Sequence, residues 1–137
     1  MRLMSLVMIF ALLMGCDKKI TTQDLDQLSG YWEIEKVVFP EGQTKEYTLN
    51  STIDYIEYEN MKGFRKKVNP NLDGTFTTSD DAELFEISKE KSTFRMHYTN
   101  DMSQWEEQII RIDQDHMTLK TPEGVAYHYK RFRGILE

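Results

Sequence analysis

Phe94-Arg95-Met96-His97-Tyr98-Thr99 alternates apolar and polar residues without a break. In an extended chain successive side chains leave opposite faces, so Phe94, Met96 and Tyr98 share one side of a strand while Arg95, His97 and Thr99 share the other. One dry face and one wet face per strand is the pattern of an antiparallel sheet packed on itself. Toward the C-terminus, Val125, Tyr127 and Tyr129 oppose Ala126, His128 and Lys130 in the same way. Phe85 with Ile87, Ile110 with Ile112, Met117 with Leu119, and Trp32 with Ile34 give further inward pairs.

Runs of this kind, rich in β-branched and aromatic residues, recur from Gly30 onward at intervals of roughly 8 to 12 residues. They predict strands near 31–39, 53–58, 63–68, 74–78, 82–88, 93–99, 105–112, 117–121 and 125–132. The punctuation between them is made of turn residues, among them Pro40-Glu41-Gly42, Asn69 to Gly74, Asp80-Asp81, Asn100 to Ser103, Asp113-Gln114-Asp115 and Pro122-Glu123-Gly124. No long helix, repeat or second domain is expected. A meander of about eight or nine strands exposes its edges unless it closes, and closure into a barrel removes them. The expected fold is therefore all-β, an antiparallel up-and-down barrel over residues 28–133.

The N-terminus follows a different logic. Leu3 to Met14 is apolar except for Ser5, follows Arg2, and ends in Leu13-Met14-Gly15-Cys16, which holds the only cysteine of the 137-residue chain. The run is shorter than the roughly 20 residues of a membrane-spanning helix and reads as a secretory signal over residues 1–15. It resembles the lipobox of bacterial lipoproteins. That resemblance implies cleavage before Cys16, acylation of its thiol and new amino group, and a mature protein held at the cell envelope by lipid, with the outer membrane as the expected surface. More than one acyl chain is needed for durable anchoring, at about 0.8 kcal/mol per buried methylene. Residues 16–27 are polar and lack aromatics, and are expected to form a flexible tether with a loose helical turn at most.

The formal net charge is −6, and loss of Arg2 with the signal takes it to −7. An acidic surface repels phosphate, so no nucleic-acid partner is expected. The basic run Arg65-Lys66-Lys67 alternates faces on a strand and reads as a solvated edge. With Cys16 used for lipid, no disulfide remains, and stability must come from packing.

Beyond the alternation, Leu28-Ser29-Gly30-Tyr31-Trp32 at the start and Tyr127-His128-Tyr129-Lys130-Arg131 at the end carry a family resemblance. So does the penultimate pair, residues 105–113 and 116–121, with its acidic turn. In this order and spacing the chain is similar to lipocalin-like domain lipoproteins of the Bacteroidetes type. The resemblance implies that Trp32 plugs one end of the barrel, that Arg131 covers its indole, and that Gly30 permits the close approach. These are structural roles. The chain is shorter than classical lipocalins and lacks their disulfides and C-terminal helix.

Chemistry-bearing patterns are sparse. His97, His116 and His128 do not have metal-ligand spacing, the pairs Asp80-Asp81 and Glu106-Glu107 point to opposite faces, and no nucleophile or phosphate-loop motif occurs. Neither metal nor cofactor is expected, and no enzyme. What remains is an inward set, Tyr58, Phe85, Phe94, Met96, Tyr98, Tyr127 and Tyr129, which either lines a pocket for a small, largely apolar ligand or fills the core. Glu107 and Arg111 share a strand face and, if inward, suit a charged ligand end. Two functions follow: a membrane-anchored carrier of a small apolar molecule, or a protein-recognition lipoprotein (an inhibitor, immunity or accessory subunit) with a filled barrel.

Overall fold

The computed structural model describes residues 18–135, apart from the side chains of Ser79 and Asp80, so the expected signal and Cys16 lie outside the described residues. Nine strands form: β1 (Gly30–Val38), β2 (Thr44–Glu46), β3 (Ile53–Glu59), β4 (Lys62–Pro70), β5 (Phe76–Glu90), β6 (Thr93–Thr99), β7 (Gln104–Ile112), β8 (His116–Lys120) and β9 (Ala126–Arg131). Strands β3 to β9 pair in chain order, β1 pairs β3, and β9 returns to β1, all antiparallel. Eight strands thus close a barrel, and β2 is added to the end of β1. The start of β1 and the β3–β4, β5–β6 and β7–β8 turns lie at one end, while the β1–β2, β6–β7 and β8–β9 connections lie at the other.

Alternation sets what faces inward. Trp32, Ile56, Phe94, Met96, Met117 and Leu119 are wholly buried and join one cluster. Each such side chain contributes about 1.5–3 kcal/mol of burial. Outside the wall, Phe76 stacks on Tyr31 with ring centroids 4.2 Å apart and meets Phe132 edge-on at 6.3 Å. The β4–β5 hairpin is therefore laid across the outside of the barrel, where the neighbours Ile53 and Val68 are also buried.

Five expectations need correction. Asp80-Asp81 does not end a strand: β5 runs through it, and the pairing with β4 jumps from Lys66↔Ala82 to Val68↔Thr78, so a bulge accommodates the polar residues. The segment expected to be a tether is structured in part. Gln23–Leu28 is a 3-10 helix whose Leu25 and Leu28 enter the core. Thr21 and Asp24 close its first turn with reciprocal bonds, Thr21 N–H to the Asp24 carboxylate at 2.7 Å and Asp24 N–H to the Thr21 hydroxyl at 3.3 Å. Ile110 is exposed rather than paired inward with Ile112, because a bulge between Ile109 and Arg111 turns Ile109 and Ile112 inward instead. The same bulge sends Arg111 outward while Glu107 stays in the interior, so the two do not share a face. The fifth correction, at Arg65, belongs to the site.

Candidate functional site

One end of the barrel is sealed. Trp32 lies under the 3-10 helix and donates its indole N–H to the Leu28 carbonyl at 2.9 Å. The Arg131 guanidinium sits 3.8 Å from the indole centroid. Arg131 also donates to three carbonyls, of Gln27 at 2.7 Å, Ser29 at 2.8 Å and Gln114 at 2.9 Å. Gly30 has φ +131°, and a Cβ there would meet Arg131 Nη1 at 2.6 Å, so only glycine allows the stack. Burial depresses the Arg131 guanidinium somewhat, with Arg133 adding to the effect.

Toward the other end the interior is polar. Arg65, expected on a solvated edge, is only 8% exposed and points into the barrel. Its partners come from four further strands. Nη2 donates to Tyr129 Oη at 2.6 Å and Asp54 Oδ2 at 3.0 Å, and Nη1 donates to Tyr98 Oη and Glu107 Oε1, both at 3.3 Å. The guanidinium also lies 5.3 Å from the Tyr129 ring centroid. Burial opposes each charge, yet Tyr129, Asp54, Tyr98 and Glu107 hold Arg65 well above its ordinary value. Burial likewise pushes the Asp54 carboxyl up, and the charges of Arg65 and Lys67 outweigh it, leaving Asp54 below 3.8. Burial moves the Tyr129 hydroxyl up to about 12 and raises Tyr98 as well, so both phenols stay protonated and neutral at neutral pH.

This centre accounts for much of the inward aromatic set. Tyr98 and Tyr129 spend their hydroxyls on Arg65, while Phe85, Phe94 and Met96 pack beside them and Tyr58 reaches Met61 Sδ at 3.5 Å. Phe85 meets Tyr98 edge-on at 5.8 Å, and Trp105 stacks on the other side of Tyr98 at 5.2 Å. Tyr127 is half-buried against the same cluster. The concavities lie elsewhere. One of about 1090 Å³ runs along the outside of β3 to β6 past Glu57, Phe64, Leu84 and His97, and among the seven residues only Phe85 lines it. A second, about 480 Å³, opens at the rim beside Asp54, Arg65 and Lys67. Among the described residues no group of three His, Cys, Asp or Glu side chains is placed to hold a metal.

Sequence reasoning missed Arg65 because its neighbours Lys66 and Lys67 made it look like surface. A signal was present: Asp54 is in phase with Ile56 and Tyr58, and Glu107 with Ile109, so two carboxylates occupy inward positions that call for a cation.

Comparison with known proteins adds the family. No curated protein matches the chain. A lipocalin-like protein from Bacteroides uniformis is similar in structure, with a TM-score of 0.49 and 12% identity over 77% of this chain and 99% of that one. An uncharacterized protein from Bacteroides eggerthii gives 0.48 and 11% over the same shares. The profile of the lipocalin-like domain matches residues 28–119, from the helix end that caps Trp32 through β8. With that match spanning most of the chain, the protein belongs to the lipocalin-like domain family.

Proposed function

We propose that the chain is a non-enzymatic binding lipoprotein of the bacterial envelope, held by lipid on Cys16, that engages its ligand or partner at the open end of a filled barrel. The family's fold suggests a ligand-binding or carrier-type protein and is consistent with small hydrophobic ligands. The observation that carries the open-end reading is the ion cluster of Arg65, Asp54 and Glu107, which together with Tyr98 and Tyr129 occupies the space a deep ligand would need. Lys18 and Ile20 lie beside Ser92 and Asp113, at the sealed end. Two residues reach about 7 Å, so a lipid on Cys16 would turn the sealed end toward the membrane and the open end away from it.

A second reading, the carrier of a small apolar molecule, draws on Trp105 and Tyr127. Both are half-buried against the core and would have to swing aside to admit a ligand. Native mass spectrometry of the protein taken from its own envelope separates the two. A stoichiometric protein, or no passenger, supports the open-end reading, whereas an apolar small molecule that survives purification overturns it in favour of the carrier. The anchor is tested by Cys16→Ser, which should leave an uncleaved, unacylated precursor. A membrane-held mature form of that variant would remove the lipoprotein assignment.

A further inference from the structure

The first described residues stay on the barrel. Ile20 packs against the core, and with Lys18 and Lys19 it walls a groove of about 710 Å³ between that segment and β6 to β9, on the flank of the sealed end. Cys16 is two residues from Lys18, a reach of about 7 Å, which is roughly the depth of one headgroup layer. The two carboxylates on the groove are spent locally. Asp24 accepts from Thr21 N–H at 2.7 Å and has Lys18 Nζ at 3.7 Å. Asp113 accepts from Arg111 Nε at 2.9 Å and from the N–H groups of Asp115 and His116 at 2.8 Å each. Cationic donors are left over. Lys19 is exposed and, among the described residues, has no partner, while Arg111 gives Nε to Asp113 and Nη2 to the His116 ring, which leaves Nη1 free. Strand register lines Arg111 up with Thr118, His128 and Lys36. Burial depresses the His128 imidazole and Lys36 lowers it further, with Glu35 opposing and Arg111 adding to the fall, so the field there is positive in a chain whose formal net charge is −6. Ile110, 44% exposed, supplies an apolar lip.

We propose that this groove seats the headgroup of an anionic phospholipid of the anchoring membrane, with its phosphate on Lys19 and Arg111 Nη1 and its acyl chains against Ile110. The inference deepens the reading of a lipid-held barrel and rests on it: the lipid on Cys16 brings the groove to headgroup depth, and the seated headgroup fixes the tilt of the barrel. A zwitterionic headgroup carries an ammonium that the surplus cations repel, so an anionic one is preferred. The groove lies outside the apolar plug and leaves the open end to a ligand or partner.

The mature lipoprotein is placed in nanodiscs of phosphatidylcholine with a rising share of phosphatidylglycerol, and NMR shifts of residues 19, 110 and 111 are followed, with residue 101 at the open end as the control. The shifts are expected to saturate with phosphatidylglycerol and to leave residue 101 unmoved. Half-saturation should need about five-fold more phosphatidylglycerol in Lys19→Gln or in Arg111→Gln, the share of a single basic residue at an anionic surface. Lys19→Gln alters an exposed side chain without a partner, so it keeps the test decisive even where Arg111→Gln loosens the β7–β8 turn. Shifts that do not depend on phosphatidylglycerol, or a half-saturation unchanged by Lys19→Gln, overturn the site. Inorganic phosphate that reproduces the shifts in discs of phosphatidylcholine alone identifies a free-anion site and overturns the lipid assignment. Failure of the anchor reads differently. The protein then does not incorporate into discs of either composition, and its shifts when discs are added from solution still judge the groove.

Discussion

The two ends of this barrel are closed by opposite chemistry. At the sealed end Leu25, Leu28 and Trp32 form an apolar plug, and the charge stacked on it, Arg131, lies outside it and spends its donors on backbone carbonyls. Toward the open end, side chains from five strands meet in an ion cluster, and the lumen is filled by charges that satisfy one another. An apolar plug excludes water and is indifferent to what binds. A buried ion cluster is sensitive to the loss of any member and to a competing charge, so the difference assigns mechanical closure to one end and recognition to the other.

The largest effect should come from breaking the polar end. Arg65→Met leaves Asp54 and Glu107 buried without their shared cation and should cost about 3–5 kcal/mol in urea unfolding. Replacing the whole group, as Asp54→Leu with Arg65→Met and Glu107→Leu, should recover most of that loss, because the cluster's worth lies in mutual compensation rather than in net stability. A cost below about 1 kcal/mol for Arg65→Met would mean that water already shields the carboxylates, and the contrast between the ends would weaken.

At the sealed end the corresponding cut is Leu28→Ala. Removing a wholly buried leucine from the plug should cost about 2–5 kcal/mol, by lost transfer energy and by the cavity left behind. It should red-shift the emission of Trp32 and leave Trp105 unchanged. Equal responses from the two indoles would show that the ends are not independent. A smaller effect belongs to Arg131→Gln, which removes the charge over Trp32 and part of the carbonyl clamp. About 1–2 kcal/mol, read as a lowered Tm, is expected from the lost cation–π contact and hydrogen bonds.

How much of this was legible in the sequence follows from which signals are local. The alternation of Phe94, Met96 and Tyr98 is local, and it places all three in the core. The alternation turned Trp32 inward, but its role as plug and that of Arg131 as its cover came from the family resemblance. Other features hid behind composition. Thr44–Glu46 is a strand with every residue exposed, held to β1 by backbone pairing alone, so it carries no apolar pattern to read. In Gln23–Leu28 the polar residues concealed Leu25 and Leu28, whose spacing of three is one face of a 3-10 helix. Bulges defeat a period of two, as at Ile109, Ile110 and Arg111, because one inserted residue moves everything after it to the other face. The Arg65 cluster joins residues up to 64 positions apart, and only strand register brings them together.

The smallest effect at neutral pH, and the most selective, is acidification. Arg65 and Lys67 hold Asp54 below 3.8 in the folded protein although burial opposes them, so the unfolded chain takes up this proton more readily. The sign follows by linkage: Asp54 contributes its full stability above about pH 4, and that contribution fades as pH falls through the depressed folded value. Trp32 is the cross-strand partner of Asp54, but its indole N–H is held by the Leu28 carbonyl and the guanidinium that covers it keeps its charge throughout this range. Trp105, stacked on Tyr98 beside the cluster, should therefore report loosening before Trp32 does. In single-tryptophan variants, Trp32→Phe and Trp105→Phe, the emission of the remaining indole against pH should give two midpoints, with the Trp105 signal moving at the higher pH. Coincident midpoints would mean that acid unfolds the barrel as one unit, so that the two ends differ in composition but not in stability.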